Sequence, residues 1–221
     1  MENQEIYYIE ESQSWTCPMA GRWKVIAVGG GASGNFNVTG INYGIVIGNG
    51  GTTSFGSIIS AEGGQTIDGG MKDSFFKADF VSGQYGYDGF TYGGGICYSQ
   101  NKEISAVGNN SLMSLRGQGY GASGGAEALD IKYQTSSGTS TTTSHPFTTP
   151  HGAMKTTIVT LDKGETIPCT IGAGGVATLT AERLLEALGT KATGTSTTIE
   201  TILSYVVNGN DGVIVLQYLG V

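Results

Sequence analysis

No apolar run in this chain goes far before glycine stops it. Trp23-Lys-Val-Ile-Ala-Val28 runs straight into Gly29-Gly-Gly-Ala-Ser-Gly34, and similar breaks recur to the end of the sequence. The 221 residues include 38 glycines, against a usual share of about 7%. So many small residues favour tight turns and close approach of one chain to another. The spacing Gly29-x-Gly31-x-x-Gly34 after an apolar strand matches the dinucleotide fingerprint. That motif works only when the last glycine opens a helix whose N-terminus faces a pyrophosphate, with an acidic residue about 20 positions on. Here Asn35-Phe-Asn-Val-Thr-Gly-Ile-Asn-Tyr-Gly44 follows, β-branched and broken by glycine, and no acidic residue appears before Glu62. A glycine-rich β module is expected, and no cofactor.

Charged residues make up 13% of the chain, roughly half of normal. A free monomer keeps charge on its surface for solubility. A surface of Gly, Ser, Thr, Asn and Tyr instead suggests cover by copies of the chain or by a partner. The net charge of −7 argues against a nucleic-acid ligand, which needs clustered Lys and Arg, and against anionic membranes. With 11 Tyr, 7 Phe and 2 Trp, the chain is too aromatic for disorder. No stretch approaches the 18 or so apolar residues of a membrane span. The acidic start, Met1-Glu-Asn-Gln-Glu5, lacks the basic and apolar regions of a signal peptide. Cys17, Cys97 and Cys169 lie far apart with no C-x-x-C, and read as reduced, small and buried. The chain is expected to fold in cytosol.

Short β-branched runs between glycines predict strands at Ile6–Ile9, Trp23–Val28, Ile45–Ile47, Phe55–Ser60, Thr156–Leu161, Thr166–Ile171 and Val213–Leu219. The last is apolar on both faces, as in a strand covered on both sides. Met71–Val81 suits a strand pair or a short helix, and the Ser/Thr tract Thr135–Thr143 a loop or a solvated edge strand. Two segments have helical spacing. Ala181, Leu184, Leu185 and Leu188 follow Thr180 as N-cap, with Gly189 past the end. Ile199, Ile202, Leu203 and Val206 follow a Thr197/Glu200 capping box and stop at Asn208-Gly209. The expected fold is one mainly β domain over 1–221, a glycine-rich β-sandwich or jelly-roll-like module. It has a Gly/aromatic region at about 63–125 and one or two short helices at about 180–207. Ala32-Ser-Gly34, Ala122-Ser-Gly-Gly125 and Ala173-Gly-Gly175 echo one another but make no true repeat.

Four segments carry a resemblance. Trp15-Thr-Cys-Pro-Met-Ala-Gly-Arg-Trp-Lys-Val-Ile-Ala-Val-Gly-Gly-Gly31 is an aromatic-x-x-Pro opening that leads into a strand and a glycine cluster. Gly51-Thr-Thr-Ser-Phe-Gly-Ser-Ile-Ile-Ser-Ala-Glu-Gly-Gly64, Lys163-Gly-Glu-Thr-Ile-Pro-Cys-Thr-Ile-Gly-Ala-Gly-Gly175 and the closing strand Asp211-Gly-Val-Ile-Val-Leu216 complete the set. Together they cover about a third of the chain from one end to the other, and they resemble the glycine-rich domain of bacteriophage tail fibres and related virion proteins. The Lys-Gly-Glu strand comes later than in that family, and the 181–207 stretch is atypical of it. The longest glycine runs here are Gly29–Gly31 and Gly93–Gly95. They fall short of the arrays that some phage adhesins pack as polyglycine helices, so no polyglycine layer is expected. The resemblance implies host attachment or a structural virion role, often as a homotrimer, with no catalytic residues.

Tyr85, Tyr87, Phe90, Tyr92 and Tyr98 sit among Gly, Ser, Asn and Gln in 82–101. Rigid amphipathic rings with small polar neighbours are paratope chemistry, and these are the expected ligand contacts, with a host-surface glycan as the ligand. The same rings also suit packing between strands or subunits. His145 and His151 have spacing too wide for a structural metal site, and Asp68, Asp73, Asp79 and Asp88 lack calcium-loop spacing. No nucleophile elbow or ordered Ser, His and Asp set appears. The expectation is a non-enzymatic virion-surface protein, a tail-fibre or receptor-binding component. A head fibre or capsid-decorating protein is the alternative, and a glycan depolymerase the third reading.

Overall fold

β-Branched and aromatic runs fit a pleated, half-buried surface, and they become strands here. The computed structural model describes residues 5–38, 46, 48–65, 105–106, 119–127, 130–147, 149, 151–180, 183–184, 194–195 and 206–221. Within these lie β1 (Ile6–Ile9), β2 (Gln13–Thr16), β3 (Gly21–Val28), β4 (Asn35–Val38), β5 (Thr53–Phe55), β6 (Ile59–Ala61) and β7 (Ser105–Ala106). They continue with β8 (Ala126–Glu127), β9 (Asp130–Thr135), β10 (Gly138–Phe147), β11 (Met154–Leu161), β12 (Thr166–Thr170), β13 (Gly194–Thr195) and β14 (Val213–Gly220). The sheets run β1-β14-β3-β11, β2-β12-β5-β6 and β13-β9-β10-β4, with β7-β8 as a pair. Every pairing is antiparallel.

The two-residue side-chain period sorts β3 into two faces. Trp23, Val25 and Ala27 join Ile9, Ile214 and Leu216 of their own sheet and Phe55, Ile59, Ala61, Ile167 and Cys169 of the second sheet in one buried cluster. Trp23 is fully buried. Its ring centroid stands 5.3 Å from Trp15, 5.8 Å from Tyr7 and 5.1 Å from Tyr218, and its Nε1 donates to Met19 O at 3.3 Å. Such aromatic pairs add about 0.5–1.5 kcal/mol each beyond burial. On the opposite face Ile26, Val28, Val213 and Val215 form a second cluster with Tyr120 and Met154. The central pair β3 and β14 is therefore covered on both sides along most of its length.

Several expectations change in detail. Phe55–Ser60 is the bend of a hairpin rather than one strand: β5 pairs with β6 through Phe55↔Ile59, across Gly56 at φ 52°. Of the two forms expected for the Ser/Thr tract, it takes the strand: residues 138–143 of β10 pair with β9, and β4 pairs with β10 only beyond the tract, through Ser144–Phe147. Val46, inside the expected strand Ile45–Ile47, belongs to no ladder; its N–H donates to Asn35 Oδ1 at 2.8 Å. Thr180 Oγ1 accepts from the Arg183 N–H at 3.1 Å and its carbonyl from the Leu184 N–H at 3.1 Å. Most of both expected helices lies outside the described residues. Val206, at the end of the second, is instead bridged to Ala126 as a β pair. Met71–Val81 also lies outside them.

The largest correction concerns glycine. Seven short segments, 29–34, 48–51, 62–65, 121–125, 151–153, 172–175 and 207–212, belong almost entirely to no ladder, yet bond to one another through their backbones. Gly30 and Ser33 both donate to the 48–51 segment, and Gly31 and Gly34 both donate to 207–210. Val207 and Asn210 donate to 121–125, and Gly209 and Gly212 to 172–175. Bonds that recur every third residue mark an extended helix of three residues per turn, the polyproline II form. A strand repeats every second.

The segment 29–34 is central. It donates to 48–51, 151–153 and 207–212, and it accepts from Gly64, Gly124 and Gly175 of the other three. The outer six close a ring in the order 48–51, 172–175, 207–212, 121–125, 151–153, 62–65, each bonded to the next. This is a hexagonal polyglycine-type lattice assembled from pieces scattered along the chain. The three sequence echoes, at 32–34, 122–125 and 173–175, are three of its members. Side chains are excluded by space: a Cβ built on Gly29, Gly30, Gly31, Gly34, Gly50, Gly63, Gly124, Gly152, Gly172, Gly174, Gly175 or Gly209 would come within 3.0 Å of backbone in the next segment.

Candidate functional site

The lattice has two ends. At one, β3, β11 and β14 join the 29–34, 151–153 and 207–212 segments, and β5 and β12 join 48–51 and 172–175. This is the end of the Trp23 cluster. At the other end the chain leaves after Gly34, Gln65, Gly125 and Gly175, and returns at Gly48, Thr149 and Val207. Buried polar groups fasten this end. Thr149 Oγ1 donates to Gly124 O at 3.3 Å and Ser33 Oγ to Gly34 O at 3.0 Å. Ser33 fits because its side chain lies against Gly48, where a Cβ would collide with it.

The sheet β13-β9-β10-β4 stands at this second end, since β4 continues from Gly34 and β10 leads into Thr149. On β9, Ile131 and Tyr133 are buried, while Lys132 and Gln134 are exposed. Their partners are Thr141 and Thr139, both exposed, and Gln134 Nε2 donates to Thr139 Oγ1 at 3.0 Å. The result is a face of hydroxyl, amide and ammonium groups, suited to hydrogen-bonding a polar ligand. Nothing in the Ser/Thr composition reveals this alone; the alternation Ile131, Tyr133 opposite Ser140, Thr142 is the available signal.

The sequence-derived candidates fare unevenly. Tyr85, Tyr87, Phe90, Tyr92 and Tyr98, together with Asp68, Asp73, Asp79 and Asp88, lie outside the described residues. His145 pairs through its backbone with Asn37 in β10–β4. His151 is buried in the lattice with Nδ1 2.7 Å from Gly152 O; a carbonyl only accepts, so Nδ1 carries the proton. No described contact brings the two histidines together. Among the described residues, no group of three or more His, Cys, Asp or Glu is placed to hold a metal.

The Gly29–Gly34 fingerprint runs into strand β4, where a dinucleotide site needs a helix. The N–H groups of Gly29, Gly30, Gly31, Ser33 and Gly34 all donate to carbonyls of neighbouring segments, so they are not offered to a phosphate. Cys17 and Cys169 are free and buried in the Trp23 cluster, and burial pushes both thiols up from their ordinary value. Cys97 lies outside the described residues. Among the described residues, no helix is long and apolar enough to cross a membrane.

The sequence matches no protein-family model and no curated protein. The fold that stands is mainly β, with several antiparallel sheets joined through a glycine lattice.

Proposed function

We propose that the chain is a non-enzymatic bacteriophage virion protein, a tail-fibre or receptor-binding component that contacts the host surface. One observation carries the reading: the glycine lattice divides an aromatic-cored β base from an end where the chain leaves and returns repeatedly. Loops held by a rigid scaffold are where binding residues concentrate. The resemblance to phage glycine-rich domains points the same way.

In this reading the base is a glycine-rich β-sandwich, formed by the two sheets that share the Trp23 cluster, and the stretch 180–207 carries short helices. The base joins other virion proteins or further copies of the chain. Tyr85, Tyr87, Phe90, Tyr92 and Tyr98, between Gln65 and Gly119, contact a host-surface glycan. A homotrimer would turn weak single-site binding into avidity.

Adsorption tests this. Purified protein should coat host cells and block phage uptake, and absence of binding at about micromolar protein, an affinity near −8 kcal/mol, counts against it. Antibody labelling on the capsid shell rather than the tail would replace it with the capsid-decorating role. Oligosaccharide released from host capsule or wall would replace it with a depolymerase.

A further inference from the structure

Beside the lattice, where it meets the β base, lies an open cleft of about 370 Å³ lined by Glu10, Gly119, Tyr120, Asn210, Asp211 and Gly212. It is separate from the face on β9–β10, and nothing above uses it. Its volume falls in the range of small-ligand sites, about 300–1,000 Å³.

The lining is held by backbone. Tyr120 stands between Gly119 at φ 90° and Gly121 at φ 68°, a left-handed pair that side-chain-bearing residues disfavour. Gly121 N–H donates to Asp211 O at 2.7 Å, and Asn210 N–H to Ala122 O at 2.8 Å. Asn210 Nδ2 donates to Gly119 O at 2.7 Å, and Asp211 Oδ1 accepts from the Gly174 N–H at 2.7 Å. Glu10 follows β1, which pairs with β14 just beyond Asp211, and Glu10 Oε1 accepts a hydrogen bond from the Tyr120 hydroxyl. Tyr120 rests on Ile26, Val28, Val213 and Val215 while also lining the cleft. Little ordering is left for a ligand to impose.

The chemistry is specific. One ring supplies an amphipathic surface. Two carboxylates and an amide converge beside it, each carboxylate having a second oxygen to accept with. Among the described residues no Lys or Arg lines the cleft, and its two carboxylates disfavour anionic ligands. A calcium ion takes six to eight oxygens, and here one carboxylate is already tied to Tyr120. A ligand with an apolar face and adjacent hydroxyl donors satisfies ring and carboxylates together. We propose that this cleft binds one neutral pyranose unit, with Asp211 and Glu10 accepting its hydroxyl protons and the Tyr120 ring covering its apolar face.

The site stands on the cleft alone, whichever particle or surface carries the protein. The test is saturation-transfer NMR and calorimetry on the full chain, with the methyl glycosides of glucose, galactose, mannose and N-acetylglucosamine, with sialic acid as the anionic arm, and with calcium alone. At least one neutral glycoside should bind with a dissociation constant of about 1 mM, near −4 kcal/mol, and sialic acid should not. Asp211→Asn keeps Oδ1 for Gly174 and removes the charge, so it should weaken binding about tenfold, as loss of one good hydrogen bond does. Tryptophan emission identical to the parent shows that this variant is folded; Glu10→Gln supplies the same test should it not be. Absence of saturation transfer from every neutral glycoside overturns the proposal, as does unchanged affinity in the folded variants, equal binding of sialic acid, or uptake of calcium with no sugar bound. Host adsorption that persists in variants with no sugar binding overturns the cleft's part in attachment while leaving the attachment role intact.

Discussion

Gly31→Ala is the sharpest probe of the lattice. Gly31 lies in the central segment, donating to Asn210 O at 2.9 Å and accepting from Gly175 N–H at 2.7 Å. A Cβ there meets the Ala122 carbonyl and Gly121 O, backbone atoms with no rotamer to give way. Forcing atoms into a packed site costs about 1–3 kcal/mol, and the separation that relieves it weakens two hydrogen bonds worth about 1 kcal/mol each. Alanine also narrows the unfolded ensemble, which returns about 0.4–1 kcal/mol. The expected loss is about 2–4 kcal/mol. Urea unfolding followed by emission of Trp15 and Trp23 reads it as a lower midpoint, and hydrogen exchange should show faster opening at the amides of 29–34 and their partners. Gly164→Asn is the control. Gly164 has φ 89° with nothing within 4 Å of a built Cβ, so its cost is conformational only, about 1 kcal/mol, and asparagine tolerates that region best. Should Gly31→Ala cost no more than Gly164→Asn, the lattice does not depend on close backbone approach.

Trp23→Ala removes the centre of the aromatic cluster and should cost about 3–5 kcal/mol, read as a drop in urea midpoint; a loss below about 1 kcal/mol would show that the cluster is not the main core. Cys17 and Cys169, buried with raised thiol pKa, should resist iodoacetamide in the native protein and react on unfolding, as peptide mass spectrometry reports. Tyr120 has its phenol pushed up to about 12, first by the hydrogen bond to Glu10 and then by burial. The folded chain thus holds that proton more tightly than the unfolded one. The stabilisation is whole below about pH 10, and it fades as pH rises towards 12. Difference titration of Tyr120→Phe against the parent should remove one late-ionising phenol; removal of one that titrates at the ordinary value refutes the Tyr120–Glu10 bond.

Much of the base was legible because its signals are local. Ile6–Ile9 is β1, Trp23–Val28 and Val213–Leu219 fall within β3 and β14, and alternation of apolar residues tells which faces are covered. The hairpin at 55–60 was less readable, since β-branched Ile58 and Ile59 continue the strand pattern across a bend that only Gly56 marks. The cleft was not readable at all: Glu10, Tyr120 and Asp211 are brought together by β1–β14 pairing and by the Gly121–Asp211 bond.

Glycine shows the division most clearly. By itself the sequence determined that the chain is mainly β, low in charge and repeatedly interrupted by residues with no side chain. A residue that lacks a Cβ permits a left-handed turn, a bend or a close approach, and composition does not choose among them. The tertiary structure chose close approach for most, because seven segments, separated by up to about four-fifths of the chain, align so that carbonyls of one meet N–H groups of its neighbours. Run length is therefore a poor guide to such a lattice. The space that each glycine opens is filled by backbone from elsewhere, and which backbone that is depends on the whole path of the chain.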